Sequence, residues 1–276
     1  MAIERREFLK IAGISLAAGL GGFTTLSAVK TGLLEASQYI KDTKELKGSR
    51  WGLVIDMNKL QDKADIQKII NICHKKHNVP DIGNAKEEIK WIWTDTFDHV
   101  FPGQESPYMG EEQKNKSYFL LCNHCDNPPC VRVCPTQATF KRPDGIVMMD
   151  MHRCIGCRFC MAGCPYGARS FNFKDPRPFI KEINPEFPAR MKGVVEKCTL
   201  CYELLAVGKQ PACAEHSNGA IVFGDLKDPN SEVRKLIASN FTIRRKPDLG
   251  TGPSVFYVIS DKDKSLENKG GSQHAG

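Results

Sequence analysis

Eleven of the twelve cysteines fall into three blocks: Cys122-x2-Cys125-x4-Cys130-x3-Cys134-Pro135, Cys154-x2-Cys157-x2-Cys160-x3-Cys164-Pro165, and Cys198-x2-Cys201-x11-Cys213. Three close cysteines on a tight loop can place thiolates on three corners of an iron–sulfur cubane. A fourth, followed by proline, reaches across to a neighbouring cluster. This crossing rule predicts one cluster on Cys122, Cys125, Cys130 and Cys164, and a second on Cys154, Cys157, Cys160 and Cys134. The third block offers only Cys198, Cys201 and Cys213, and the chain then reads Ala214-Glu215-His216-Ser217.

Cys73 is the cysteine outside the blocks. It ends the pattern Ile66-x2-Ile69-Ile70-x2-Cys73, the i, i+3, i+4, i+7 spacing of one buried helix face, and is the obvious fourth ligand of the third site. Twelve thiolates at four per cubane then give three 4Fe–4S clusters with no cysteine to spare.

Other uses of cysteine fit less well. Structural zinc joins two separate CxxC pairs, whereas the four-cysteine run from Cys154 to Cys164 and both Cys-Pro endings suit cubane loops. A disulfide scaffold serves small domains without a core, and 276 residues can bury one unaided. Covalent haem needs Cys-x-x-Cys-His, but Asp126, Arg158, Met161 and Tyr202 follow the CxxC pairs. His74, His77, His124, His152 and His216 lie near cysteines and read as solvated or hydrogen-bonded, with His216 worth inspecting as a ligand.

The amino terminus carries Arg5-Arg6-Glu7-Phe8-Leu9-Lys10 before a glycine-broken apolar stretch, 11–29. It has the pattern of a twin-arginine export signal. Leu26-Ser27-Ala28 is a weak cleavage site, so the expectation is either a cleaved signal or a retained amino-terminal anchor over 1–30. The rest of the chain holds no stretch that could cross a membrane, which predicts a peripheral domain on the outer face. The net charge of +7 falls close to neutral if the signal is removed and each cubane contributes about −2. No nucleic-acid motif is present, and Arg132, Arg153, Arg158 and Lys197 read as neighbours of anionic clusters.

Along the chain, 51–56 reads as a buried strand and 60–77 as a helix ended before Pro80. The organisation is then a degenerate first motif at 50–80 contributing Cys73, an aromatic-bearing insertion at 81–118 and a two-cluster module at 119–176. A third-cluster module follows at 190–226, with a carboxy-terminal extension and disordered tail at 227–276. Short strands at 119–121, 146–150, 169–173 and 221–224 alternate with loops. The strand signal at 252–258 suits either a partner or the core. The expected class is α+β, a duplicated bacterial-type ferredoxin behind an amino-terminal signal helix.

Cys122-Asn-His-Cys125-Asp-Asn-Pro-Pro-Cys130, Cys154-Ile-Gly-Cys157-Arg-Phe-Cys160, Cys164-Pro-Tyr-Gly-Ala168 and Lys197-Cys198-Thr-Leu-Cys201 resemble the polyferredoxin electron-transfer subunits of membrane-associated respiratory oxidoreductases. Such subunits carry four cubanes in two crossed pairs. Here 57–72 lacks the expected three cysteines, and the last cysteine of the fourth motif is missing near His216 and Ser217. By the crossing rule the four would have served one cluster. Within the family, an exported member with this reduced set is most similar to the iron–sulfur O subunit of the Dsr membrane complex and to its counterpart in the Hdr-like menaquinol-oxidising complex of sulfate reducers.

That resemblance implies electron transfer between a polytopic quinone-interacting membrane subunit and a multihaem cytochrome c, with further complex subunits as partners. No catalytic acid, base or nucleophile constellation stands out. One alternative is a molybdopterin reductase partner acting on tetrathionate, polysulfide or a sulfoxide. Another is a zinc-stabilised interaction module.

Overall fold

The computed structural model describes residues 44–259. The Arg5-Arg6 motif, the apolar stretch 11–29 and the tail 262–276 lie outside them. Strand β1, Trp51–Asp56, is buried along nearly its whole length, as the unbroken apolar run Trp-Gly-Leu-Val-Ile requires. Helix α1, Lys63–Lys76, starts later than the apolar periodicity alone implies, because Asp62 is its N-cap and accepts from the Ala64 N–H at 2.7 Å. Its buried residues are Ile66, Ile69, Ile70 and Cys73. It ends at His77, and left-handed Asn78 (φ 52°) turns the chain away.

Within 81–118, strand β2 (Ile92–Asp95) is followed by the single turns α2 (Phe97–Val100) and α3 (Glu111–Asn115). The aromatics here pack: Trp91, Phe97 and Phe101 are buried, and Phe101 meets Tyr118 and Tyr257 edge-on, each at 5.5 Å between ring centroids. Strand β3 (Tyr118–Leu121) pairs antiparallel with β2, Ile92 opposite Leu121. Next come α4 (Pro129–Arg132), β4 (Thr139–Lys141), β5 (Val147–Met149), α5 (Phe159–Ala162), β6 (Ser170–Phe171) and β7 (Val195–Glu196). β4 pairs with β5 and β6 with β7. These ladders are short because the intervening chain is spent on cysteine loops.

The carboxy-terminal part holds α6 (Tyr202–Ala206), α7 (Ala212–Glu215), β8 (Ile221–Asp225), α8 (Glu232–Ser239), β9 (Thr242–Ile243) and β10 (Val255–Val258). The polar stretch after Asp225 conceals α8, capped by the Ser231 hydroxyl, which accepts from Arg234 N–H. Its apolar side, with Val233 fully buried, packs on β1 and β8. The isolated strand signal resolves in favour of the core: β10 runs parallel to β1, Leu53 opposite Val255, in a sheet of order β8-β1-β10-β9. That sheet and α1 enclose the largest hydrophobic core, which also contains Cys73, Cys198 and Cys213. Among the described residues no helix is long and apolar enough to cross a membrane.

Candidate metal centres

All twelve cysteines are free thiols, and they gather in three groups. At the first, β3 ends at Leu121 and delivers Cys122. His124, with φ of 41°, curls the loop so that Cys125 faces the same space. Pro129 then opens α4, which carries Cys130. Cys164, from beyond α5, closes a small cavity that all four line together with Val147, Tyr166 and Arg169. We call this site A.

Site B is assembled the other way round. Cys134, just after α4, crosses to join Cys154, Cys157 and Cys160 around one small cavity. Gly156 (φ 71°) and Arg158 (φ 63°) give the loop its left-handed turns. A Cβ on Gly156 would lie 2.4 Å from the Gly193 carbonyl oxygen. Cys157 is exposed, between the exposed side chains of Ile155 and Phe159.

Site C is long-range. Cys73, in the last turn of α1, lies beside Cys198, Cys201 and Cys213, and all four are buried. Leu200 and Cys201 are both left-handed (φ 57° and 51°), and Leu200 N–H lies 3.4 Å from the Cys198 sulfur.

Burial, and then the neighbouring thiols of the same group, push the thiols of Cys73 and Cys201 well above the ordinary value. Burial foremost takes Cys198 and Cys125 up to about 12 and Cys213 to about 11. Cys122 and Cys134 go the other way, Cys134 because nearby backbone and Thr136 hydrogen bonds outweigh burial. At Cys122 burial works against ionisation too, but the Lys197 ammonium and the His124 ring outweigh it and hold the thiol well below its usual range. Four thiolates gathered around one small space repel one another and are stable there only with a soft metal group bound between them. The donor sets therefore fit cubanes, whose ligands are cysteine thiolates.

The 4Fe–4S dicluster domain family matches residues 117–177, which contain all of sites A and B. The iron–sulfur subunit 1 of the Hdr-like menaquinol oxidoreductase of Archaeoglobus fulgidus is 40% identical over 93% of this chain and 98% of its own length. The chain belongs to the polyferredoxin iron–sulfur subunits of membrane respiratory oxidoreductases. Two further relatives are the iron–sulfur cluster-binding subunit of a menaquinone reductase from Nitratidesulfovibrio vulgaris, at 33% identity over 76% of this chain and 88% of the relative, and the iron–sulfur subunit of a putative dimethyl sulfoxide reductase from Halobacterium salinarum, at 37% over 80% and 86%. This polyferredoxin is accordingly a ferredoxin-like mixture of helix and strand that binds 4Fe–4S clusters and carries electrons within a multi-subunit complex.

Where four-cluster relatives of this polyferredoxin are expected to hold one more cluster, the described chain has a cleft without cysteines, lined by Leu60, Ile69, His216 and Ser217 among others. Leu60, Ile66 and Ile69 are buried, and so is Ser217, whose hydroxyl donates toward the carbonyls of Ala214 and Ile221 and accepts from Ile221 N–H at 2.9 Å. His216 is exposed, bonds the Ala212 carbonyl through Nδ1 at 2.9 Å, and lines that same cleft beside Lys59 and Asp65. It joins none of the three thiol groups.

In the polar shell behind site C the expectation that His77 is hydrogen-bonded is met, while Glu203, Arg190 and Glu196 were missed by sequence reasoning. His77 is fully buried and stacked on Trp91 at 4.7 Å, with Nδ1 2.8 Å from the Cys73 carbonyl and Nε2 2.9 Å from Glu203. His77, Cys201 and Glu203 have ligand atoms within 4.8 Å of one another. Both ring nitrogens of His77 are already engaged, however, so it orients Cys73 rather than binding a metal. Behind Trp91, the buried pair Arg190–Glu196 closes at 2.5 Å, and Glu196 also accepts from the Trp91 indole at 2.7 Å. Nothing in the local sequence marks Glu203 or Glu196 as part of this shell, because their partners His77 and Trp91 lie more than a hundred positions away.

Proposed function

We propose that this chain holds three 4Fe–4S clusters: one on Cys122, Cys125, Cys130 and Cys164, one on Cys154, Cys157, Cys160 and Cys134, and one on Cys198, Cys201, Cys213 and Cys73. It relays single electrons in a menaquinol-linked respiratory complex of dissimilatory sulfate or sulfite metabolism, between a quinone-interacting membrane subunit and a multihaem cytochrome c. The chain is exported by the twin-arginine route and works on the outer face of the membrane. The observation that carries the reading is the gathering of twelve free thiols into three groups of four with none left over.

When bound, each cluster supplies a one-electron couple whose potential follows net charge, hydrogen bonds to sulfur and solvent exposure. The chain's own residues determine those conditions. Cys73, Cys198, Cys201 and Cys213 hold site C away from water, whereas exposed Cys157 brings site B to the surface. The menaquinol assignment is supported by likeness to the Archaeoglobus and Nitratidesulfovibrio proteins. Likeness to the Halobacterium protein supports a second reading, with a molybdopterin reductase as partner. Copurification separates them: a multihaem cytochrome supports the first, a large pterin-binding subunit the second.

The primary test is iron, acid-labile sulfide and zinc per chain in anaerobically purified protein. About twelve irons and twelve sulfides are expected. About eight would remove site C from the relay, and stoichiometric zinc without iron would replace the redox reading with a zinc-stabilised interaction module.

A further inference from the structure

Of the four buried lysines and arginines among the described residues, Arg190 is paired with an acid, Glu196. Lys197, Arg169 and Arg245 are not. Lys197 is fully buried, and its ammonium donates to the carbonyl oxygens of Val147 and Cys198, the latter at 2.8 Å. Arg169 is buried; its Nη1 donates to the Thr139 hydroxyl at 3.1 Å and lies 3.6 Å from the Met149 sulfur, while Nη2 is buried without a partner. Neither forms an ion pair with a carboxylate among the described residues. A third buried cation, Arg245, is accommodated differently, 5.3 Å over the Tyr166 ring and donating toward the Val100 carbonyl.

What surrounds Lys197 and Arg169 is sulfur, and each lies beside two thiol quartets. Lys197 bonds the carbonyl of Cys198 in site C and has Cys122 and Cys130 of site A as charged neighbours. Val147, whose carbonyl it binds, lines the site A cavity. Arg169 lines that same cavity and has Cys130 and Cys122 of site A and Cys160 of site B as charged neighbours. Met149, beside its Nη1, lines the site B cavity. A buried charge persists only where an opposite charge compensates it. Thiolates ligating anionic clusters are the compensating groups on offer.

We infer that Lys197 and Arg169 are shared positioning cations, Lys197 set beside sites A and C and Arg169 beside sites A and B, each raising the reduction potential of the two clusters it neighbours. The inference rests on the three-cluster reading. One-electron reduction at a site adds one negative charge, so a fixed cation beside it favours the reduced form. Site A, flanked by both cations, responds to the loss of either. The same charges screen the repulsion between electrons at neighbouring sites, which keeps transfer along the row from being blocked.

The test is an anaerobic redox titration of the full-length holoprotein, followed by electron paramagnetic resonance, with each signal assigned by single ligand substitutions. In Lys197→Met, the oxidised-to-reduced ratio at sites A and C should rise at least about tenfold at a given potential, equal to a downward shift of about 59 mV for one electron, with site B unmoved. In Arg169→Met, sites A and B should shift and C should not. Lys197→Arg and Arg169→Lys, which keep the charge, should stay near wild type.

Full iron content with unmoved potentials in the Met variants would overturn the inference. So would equal shifts at all three sites, or a shift in Lys197→Arg as large as in Lys197→Met. If Lys197→Met loads incompletely, Lys197→Gln, which keeps a donor but not the charge, carries the same expectation. If neither neutral variant loads while Lys197→Arg does, loss of the site A and C signals supports the inference and loss of the site B signal refutes it. Fewer than three clusters in the wild-type protein would instead refute the reading beneath it.

Discussion

The Gly156→Ala substitution tests how tightly the fold constrains the site B loop. Gly156 has φ of +71°, and its added Cβ would come within 2.4 Å of the Gly193 carbonyl oxygen and 3.1 Å of the Phe171 ring. Gly167 provides the control, because its φ is nearly the same (+65°) but nothing lies within 4 Å of an added Cβ. The left-handed backbone costs an alanine about 1–2 kcal/mol at either position. Only at 156 does overpacking add about 1–3 kcal/mol more, because the obstacle is backbone that cannot rotate away. At about 2–4 °C per kcal/mol for a domain of this size, Gly156→Ala should melt roughly 2–12 °C below Gly167→Ala at the same scan rate. Gly156 also lies between Cys154 and Cys157, so relieving the clash displaces two thiols of site B. Iron should therefore fall from about twelve to about eight per chain in Gly156→Ala and stay full in Gly167→Ala. Equal melting temperatures and equal iron in the two variants would refute the reasoning.

Cys73→Ala should remove or convert only the cluster on Cys198, Cys201 and Cys213, with the signals of sites A and B unchanged; full retention of three cluster signals would refute the pairing. Arg190→Met leaves Glu196, which is fully buried, without its cation and should cost about 3–5 kcal/mol in denaturant unfolding. Arg190→Met combined with Glu196→Gln should recover much of that, and a single-variant loss below about 1 kcal/mol would show that the pair is not what holds this region. Tyr257 is buried, which pushes its phenol up from 10.0 to about 12, and its hydroxyl donates to the Phe119 carbonyl at 3.1 Å. The fold keeps this proton where the unfolded chain has lost it, so the contribution is intact below pH 10 and declines as pH rises from 10 towards about 12. Tyr257→Phe should abolish that alkaline component and cost about 1 kcal/mol at neutral pH; an unchanged alkaline limb would count against it.

Much of the site region was legible because cysteine spacing is local geometry. Loops with two to four residues between cysteines can converge on one space, and the glycine and other left-handed positions within them, Gly156 and Arg158 among others, serve that convergence. Trp51–Asp56 and the buried face Ile66-Ile69-Ile70-Cys73 could likewise be read from apolar periodicity. The helix α8 could not, because its apolar side is narrow and its neighbours are polar; it is held by Ser231 and by packing on β1 and β8.

By itself the sequence determined which side chains can carry iron–sulfur chemistry, since thiolate number and spacing are covalent properties of the chain. Only the tertiary structure decided what surrounds them. It lined the position of the missing cluster with Leu60, Ile69 and Ser217 in place of thiols, set His77 and Glu203 behind Cys73, and buried Lys197 and Arg169 beside the thiol quartets. The physical reason is desolvation. The influence of a charge on a buried sulfur depends on which groups exclude water around both, and those groups come from segments far apart in the chain.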